Sequence, residues 1–329
     1  MRADRSLALV ALVAACGKFQ DPDIVVDLRV LAMTASIPDQ VIDVDPTMPP
    51  QASAILAQIA PVAVCALMGD PAKDRALRWT MTLCEENSDS RCFVDDPHTV
   101  LGSGTIADPD TTMPEPTMCA TVQANGDLFS ILVLALKDDT FKGLDGIAYQ
   151  VALRVGAVDD DPIDDIFASK EVKVSPRIPT NRIGNKNPTL DRIDERPGPD
   201  DTTPTLPIAL GRCVDQPTPL EVFPETKVRL TPIETDGARE TYVVPTLSGG
   251  SATFTESLTY QWSAGMGSFS KGDTGGPRDL TGDSPALFTD WKAPAAKDLD
   301  GPTDITLWIV QRDERFGATW YETCIRVVP

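Results

Sequence analysis

The chain has 329 residues, with 49 acidic and 29 basic side chains and a net charge of −20, a sign that repels phosphate and argues against a nucleic-acid partner. Its single histidine, His98, leaves no His-pair metal site and little acid–base chemistry at neutral pH. An apolar content of 42% with 24% charged residues belongs to a folded globular chain, and 29 prolines point to turns, edges and linkers rather than long helices.

At the N-terminus, Arg2 and Arg5 precede an apolar run from Ser6 to Val13. That run is far shorter than the roughly 20 residues needed to span a bilayer. Ala14 and Ala15 then supply the small residues found before a secretory cleavage site, and Cys16 follows. Val13-Ala14-Ala15-Cys16 resembles the lipobox of bacterial lipoproteins. In that family the cysteine is lipidated on sulfur and becomes the mature N-terminus. The resemblance implies a signal peptide over 1–15, a lipid on Cys16 and a tether over 16–23. A plain signal peptide with an incidental cysteine, or a soluble N-terminus, is the other reading. Two or more acyl chains anchor stably where one binds reversibly. Gly17, where an acidic residue is absent, points by analogy with lipoprotein sorting to the outer membrane, facing the periplasm or the surface. The acidic body would be held off anionic lipid heads by its tether.

Six cysteines remain: Cys65, Cys84, Cys92, Cys119, Cys213 and Cys324. An even number suits an oxidising compartment. Cys213 and Cys324 bracket the second half of the chain and have no other local partner. Closing that loop contributes roughly 4–5 kcal/mol in the chain-entropy model. Cys84 and Cys92 read as a loop closed by its own bridge, which leaves Cys65 for Cys119; four cysteines allow three connectivities. No CxxC occurs, which argues against zinc.

Residues 24–35 open the body with a β-rich run. Residues 55–65 are apolar and β-leaning, with Pro61 marking an edge or bulge. Trp79 to Cys84 alternates with period two. The run 127–137, DLFSILVLALK, suits a short helix capped by Asp127 or a buried strand. Residues 147–156 and 167–174 read as two closing strands around a polar turn. Seven prolines in 176–207 mark a linker. Further strands read at 220–233, 240–246, 252–263, 286–291, 304–311 and 318–328. The expected fold is therefore mainly β: two β-sandwich domains in tandem, 24–175 and 208–329, the first with one short helix, joined by the Pro-rich linker.

Tyr260-Gln261-Trp262, Gly267-Ser268-Phe269, Trp291-Lys292-Ala293-Pro294, Trp308-Ile309-Val310 and Arg312-Asp313-Glu314-Arg315 resemble the pattern of bacterial Ig-like or PKD-like domains. The opening DLRVLAMTASIPDQV and Asn187-Pro188-Thr189-Leu190 resemble predicted cell-envelope lipoproteins of myxobacterial type, which carry tandem Ig-like modules. Phe316 stands where that pattern has glycine. The resemblance implies that both sandwiches are Ig-like. It brings no activity with it, and no residue inherits a catalytic role.

No nucleophile, dinucleotide or phosphate-loop motif occurs. Acidic pairs could run glycoside hydrolysis, but nothing in the sequence selects a pair, and a solvated acidic face is the simpler reading. Asp159, Asp160, Asp161, Asp164 and Asp165 crowd one loop and could hold structural calcium, though without EF-hand spacing. Asp298, Asp300 and Asp304 form a second, sparser set. Trp262, Trp291, Trp308, Trp320 and Tyr321 could form a sugar-stacking platform, but an Ig-like Trp normally packs between sheets, and Trp308 and Trp320, on opposite arms of one hairpin, could form a cross-strand pair. The sequence thus points to a non-enzymatic, lipid-anchored envelope protein acting in adhesion, scaffolding or the binding of an envelope protein or glycan. A calcium- or carbohydrate-binding module is the alternative, and no other cofactor is expected.

Overall fold

A computed structural model describes residues 22–45, 51–71, 75–87, 89–93, 95–106, 118–197, 205–278, 282 and 284–329. The signal peptide, Cys16 and the tether up to residue 21 lie outside the described residues, as do residues 198–204 of the linker. The first half contains β1 (Arg29–Ala35), β2 (Asp39–Ile42), α1 (Ala52–Leu56), β3 (Val62–Gly69), β4 (Leu77–Glu85), β5 (His98–Ile106), β6 (Met118–Val122), α2 (Gly126–Asp138), β7 (Ile147–Ala157) and β8 (Ile166–Pro176). The second contains β9 (Leu190–Pro197), β10 (Leu206–Ile208), β11 (Leu220–Val222), β12 (Lys227–Glu234), β13 (Thr241–Pro245) and β14 (Ser251–Thr255). It ends with β15 (Thr259–Ala264), β16 (Ser268–Phe269), β17 (Asp273–Gly275), β18 (Thr289–Lys292), β19 (Thr303–Arg312) and β20 (Ala318–Val327).

The mainly β expectation holds, with one substantial helix and one short one. The first sandwich packs a three-stranded sheet, β1-β3-β6, against a five-stranded one, β2-β8-β7-β4-β5. The second packs β10-β9-β12-β18-β16 against β11-β20-β19-β15-β17, and β13-β14 forms a separate hairpin. Each core follows the alternation of its strands. Leu77, Met81 and Leu83 of β4 meet Val64 and Met68 of β3 in the first core. Trp262 of β15 and Trp291 of β18 fill the second and are fully buried.

A third apolar cluster joins the two sandwiches. Val25, Leu31, Ala32 and Leu67 of the first half pack against Trp308, Val310 and Trp320 of the second. Leu307 and Ile309 face the second core while Trp308 and Val310 face this seam. Strand β19 is therefore buried on both sides, as its unbroken apolar run Leu307 to Val310 requires. Four sheets stack in sequence, with the β1-β3-β6 and β11-β20-β19-β15-β17 sheets in the middle. Trp308 lies opposite Glu322 and Val310 opposite Trp320, so the two tryptophans are diagonal neighbours rather than the direct cross-strand pair that the hairpin suggested.

The Pro-rich segment joins the sandwiches but is not a loose spacer. Its residues 190–197 form β9, which pairs with β12 and β10 inside the outer sheet. Before β9, Asn187 ties both halves together: its Nδ2 donates to Ala35 O (2.7 Å), and its Oδ1 accepts from Ala318 N (3.0 Å). Asn185 Nδ2 donates to Asp313 Oδ2 (3.0 Å) and Arg315 O (2.8 Å). A Cβ at Gly184 would lie 2.4 Å from Asp39 O, so the segment runs too close to the first sandwich for any side chain there. The end of the tether is also docked, since Ala264 N donates to Asp23 O.

The Asp313 turn fits this seam. Asp313 Oδ1 accepts from Arg315 N (2.7 Å) and Gly317 N (2.8 Å), and Phe316 takes the left-handed backbone with φ 74° that glycine would adopt without cost. Its carbonyl accepts a hydrogen bond from Lys170 Nζ.

Three disulfides are formed. Cys65–Cys119 joins directly opposed positions of β3 and β6, Cys84–Cys92 closes the loop after β4, and Cys213–Cys324 ties a turn to β20 with Cα atoms 4.9 Å apart. The run 55–65 divides: its start belongs to α1, and strand character begins at Val62. The run 127–137 is helical. Asn125, not Asp127, caps it, its side chain accepting from Asp127 N and Leu128 N, while Asp127 sits in the first turn where the helix dipole favours an acid.

Burial lowers the Lys170 pKa to about 8, with Arg312 adding repulsion while Asp313 and Glu171 oppose the shift. The folded amine then releases its proton before the unfolded one, so the unfolded state holds more protons above that value. Stability gains with pH wherever that is so. We expect the unfolding free energy to rise from about pH 8 to about 9.5, below the range of tyrosine ionisation. Urea titrations of Lys170→Met should show this rise abolished; an identical slope in the variant would contradict it.

Candidate functional site

A concavity lies at one end of the first sandwich. It encloses about 630 Å³, within the range of small-molecule sites. Its floor is the strand-end residues Ile42, Ile147 and Val174. One wall is the stripe Phe129, Leu132, Val133 and Leu136 of α2, spaced i, i+3, i+4 and i+7 on one helix face. Ile55 of α1 and Phe141 and Leu144 of the following loop close the sides.

Helix α2 is apolar over too wide an arc for one buried face. Leu128 and Ile131 are wholly buried against the first core, with Leu132 at its margin. Phe129, Val133 and Leu136 are left to line the cavity. This width is why the segment read equally as helix or buried strand, and it was the sequence signal for the site. Val44, Val133 and Phe141 are 38%, 44% and 51% exposed there, a contiguous apolar surface of the kind that marks a binding region.

Polar groups stand at the mouth: Asp43, Asp45, Gln51, Gln58 and Lys142. Gln58 braces α1 to the chain after β2, accepting from Asp43 N (2.7 Å) and donating to Asp43 O (3.1 Å). The Asp43 carboxylate takes a hydrogen bond from Arg177 Nε at 2.7 Å. Lys142 and Gly143 both have left-handed backbone, φ 51° and 81°, and Gly143 N donates to Asp139 Oδ2 (2.6 Å). This tight turn sets Phe141 and Lys142 at the rim.

A smaller depression of about 270 Å³ lies on the outer face of β4, β5, β7 and β8. Arg91 stacks on Phe167, 3.8 Å from its ring centre, and His98 presents Nδ1 to Asp96 O at 2.8 Å. The buried carboxylates lie elsewhere and most are engaged. Asp39 accepts from Ser175 Oγ (2.7 Å), Asp70 pairs with Arg75 (2.9 Å), and Glu256 pairs with Arg315 (2.7 Å). Glu195, 2% exposed, has its pKa raised by burial. None of these four lines the 630 Å³ cavity.

The five aspartates proposed for calcium do not converge. Asp165 turns inward onto two guanidinium groups, Arg78 Nη2 (2.5 Å) and Arg154 Nε (2.6 Å). Asp161 caps a short turn by accepting from Ile163 N, and Asp160 lies 3.8 Å from Arg75. Asp159 and Asp164 are exposed. Among the described residues, no three metal-ligating side chains come together. Asp304 of the sparser set pairs with Arg326. Trp262, Trp291 and Trp308 are buried and Trp320 and Tyr321 partly so, hence they are packing residues and not a surface platform.

No family model matches the sequence, and no curated protein matches it. Among solved structures, a biofilm-associated protein BSP domain is similar at 6% identity and a TM-score of 0.23, over 91% of this chain and 58% of that one. The native form of E. coli alpha-2-macroglobulin is similar at 8% identity and a TM-score of 0.20, over 90% of this chain and 16% of that one. This chain spans less than two thirds of the length of either. Likenesses of this order carry no argument about function.

Asp165→Asn keeps the side chain's size but leaves Arg78 and Arg154 facing each other without their shared anion. We expect a loss of about 1.5–3 kcal/mol in urea unfolding; a variant as stable as the parent would show that the aspartate is not structural.

Proposed function

We propose that this protein is a non-enzymatic, lipid-anchored component of a bacterial cell envelope. It presents a stiff double sandwich for adhesion, scaffolding or the binding of an envelope protein or glycan. The observation that carries the reading is the use of the cysteines. All six beyond residue 16 lie in bridges, which form and persist in oxidising compartments outside the cytoplasm. The seventh, Cys16, follows Val13-Ala14-Ala15. The joined sandwiches support the scaffold role, because a partner engaged by one half is held at a fixed distance and angle from the other. The anchor would be placed at the outer membrane, with the acidic body facing the periplasm or the surface.

Fractionation of cells producing the parent chain and Cys16→Ser tests this. The parent should sediment with membranes and gain mass as lipid, and blocking the lipoprotein signal peptidase should leave a longer precursor. Cys16→Ser should become soluble. If the variant still sediments with membranes, or the parent is recovered soluble with Met1 intact, the anchor assignment is wrong.

A further inference from the structure

We propose that the cavity between α1, α2 and the ends of β2, β7 and β8 binds the aliphatic chain of a single-chain anionic amphiphile, with its headgroup at Lys142. The inference is independent of the anchor on Cys16.

Polarity is divided sharply between the interior and the mouth. The α2 stripe and the strand ends contribute only aliphatic and aromatic side chains to the lining, while every charged lining residue is exposed to solvent. An extended peptide or a sugar would bring polar groups that find no partners inside, at a cost of roughly 1–3 kcal/mol for each one buried. An alkyl chain makes no such demand, and it removes from water the apolar surface now exposed at Val44, Val133 and Phe141.

The charge at the mouth selects the head. Of the two acidic groups at the mouth, Asp43 is answered by Arg177 at 2.7 Å and Asp45 is also engaged. The Lys142 ammonium has no ion pair among the described residues and touches only the Lys137 carbonyl, at 3.2 Å. Its backbone is left-handed beside Phe141, and Lys142 lines the cavity with it. The chain as a whole carries −20, so the attraction is local: an ammonium without an ion pair beside an apolar cavity complements a carboxylate or phosphate on a hydrocarbon tail.

The test uses the full chain carrying Cys16→Ser, which avoids detergent, and cis-parinarate, a fluorescent long-chain carboxylate. We expect saturable binding, with displacement by palmitate and by lysophosphatidylglycerol; the stronger competitor identifies a free fatty acid or a membrane lipid as the source. Val133→Asp, on the exposed side of α2, should weaken binding at least about tenfold. Lys142→Glu should weaken carboxylate competitors several-fold while leaving hexadecanol unchanged, a split that a merely structural role would not produce. Both positions are exposed, and unchanged melting temperatures would show the variants folded. The proposal is overturned if cis-parinarate does not bind, if both variants bind it as the parent does, or if an amphipathic helical peptide displaces it and the carboxylates do not.

Discussion

The burial of Trp308 and Val310 on the second face of β19 governs the rest of the architecture. Their neighbours Leu307 and Ile309 already fill the second core, so a free-standing sandwich would leave a tryptophan and a valine bare on its outer sheet. Covering each such side chain is worth about 1.5–3 kcal/mol, well above the usual yield of an exposed ion pair. Leu31, Ala32 and Leu67 provide that cover, and their own sheet is thereby buried on both faces as well. Once the seam forms, the connecting segment has little freedom. It must pass close to Asp39, hold both halves through Asn187 and enter the outer sheet as β9.

The same logic explains where the molecule keeps an unfilled surface. The seam satisfies one end of the apolar inventory, but α2 carries more apolar surface than the first core can cover. Its excess stripe faces the cavity with Lys142 at the rim. The acidic residues show the converse. Two that look like ligands in the sequence are committed to arginines, Asp165 to Arg78 and Arg154 and Asp304 to Arg326, and the buried Glu256 is likewise held by Arg315. Much of the negative charge is therefore structural where it is buried and solvating where it is not.

The β architecture was legible because period-two alternation and turn residues are local signals. The runs at 147–156, 167–174, 304–311 and 318–328 became strands with nearly those bounds. The apolar run of β19 also carried its double burial in plain view, yet nothing local says which surface covers the second face. What escaped was set by tertiary contact. Proline content suggested a spacer over 176–207, and sheet pairing overrode it at β9. Register placed Val310, not Trp308, opposite Trp320. The capping role fell to Asn125 because its side chain reaches two free helix amides from outside the helix. The cavity was not read from the sequence, since its floor comes from the ends of three separate strands; the apolar width of 127–137 is the local trace that could have pointed to it.

The most direct measurement is equilibrium unfolding in urea, disulfides intact, with two observables on one sample. Tryptophan fluorescence reports chiefly on the second sandwich, which holds four of the five tryptophans, and amide hydrogen exchange in β4 and β7 reports on the first. A shared seam predicts that both change together in one transition. Loss of amide protection in β4 and β7 at urea concentrations that leave the fluorescence native would mean that the sandwiches are independent and the seam does not hold them.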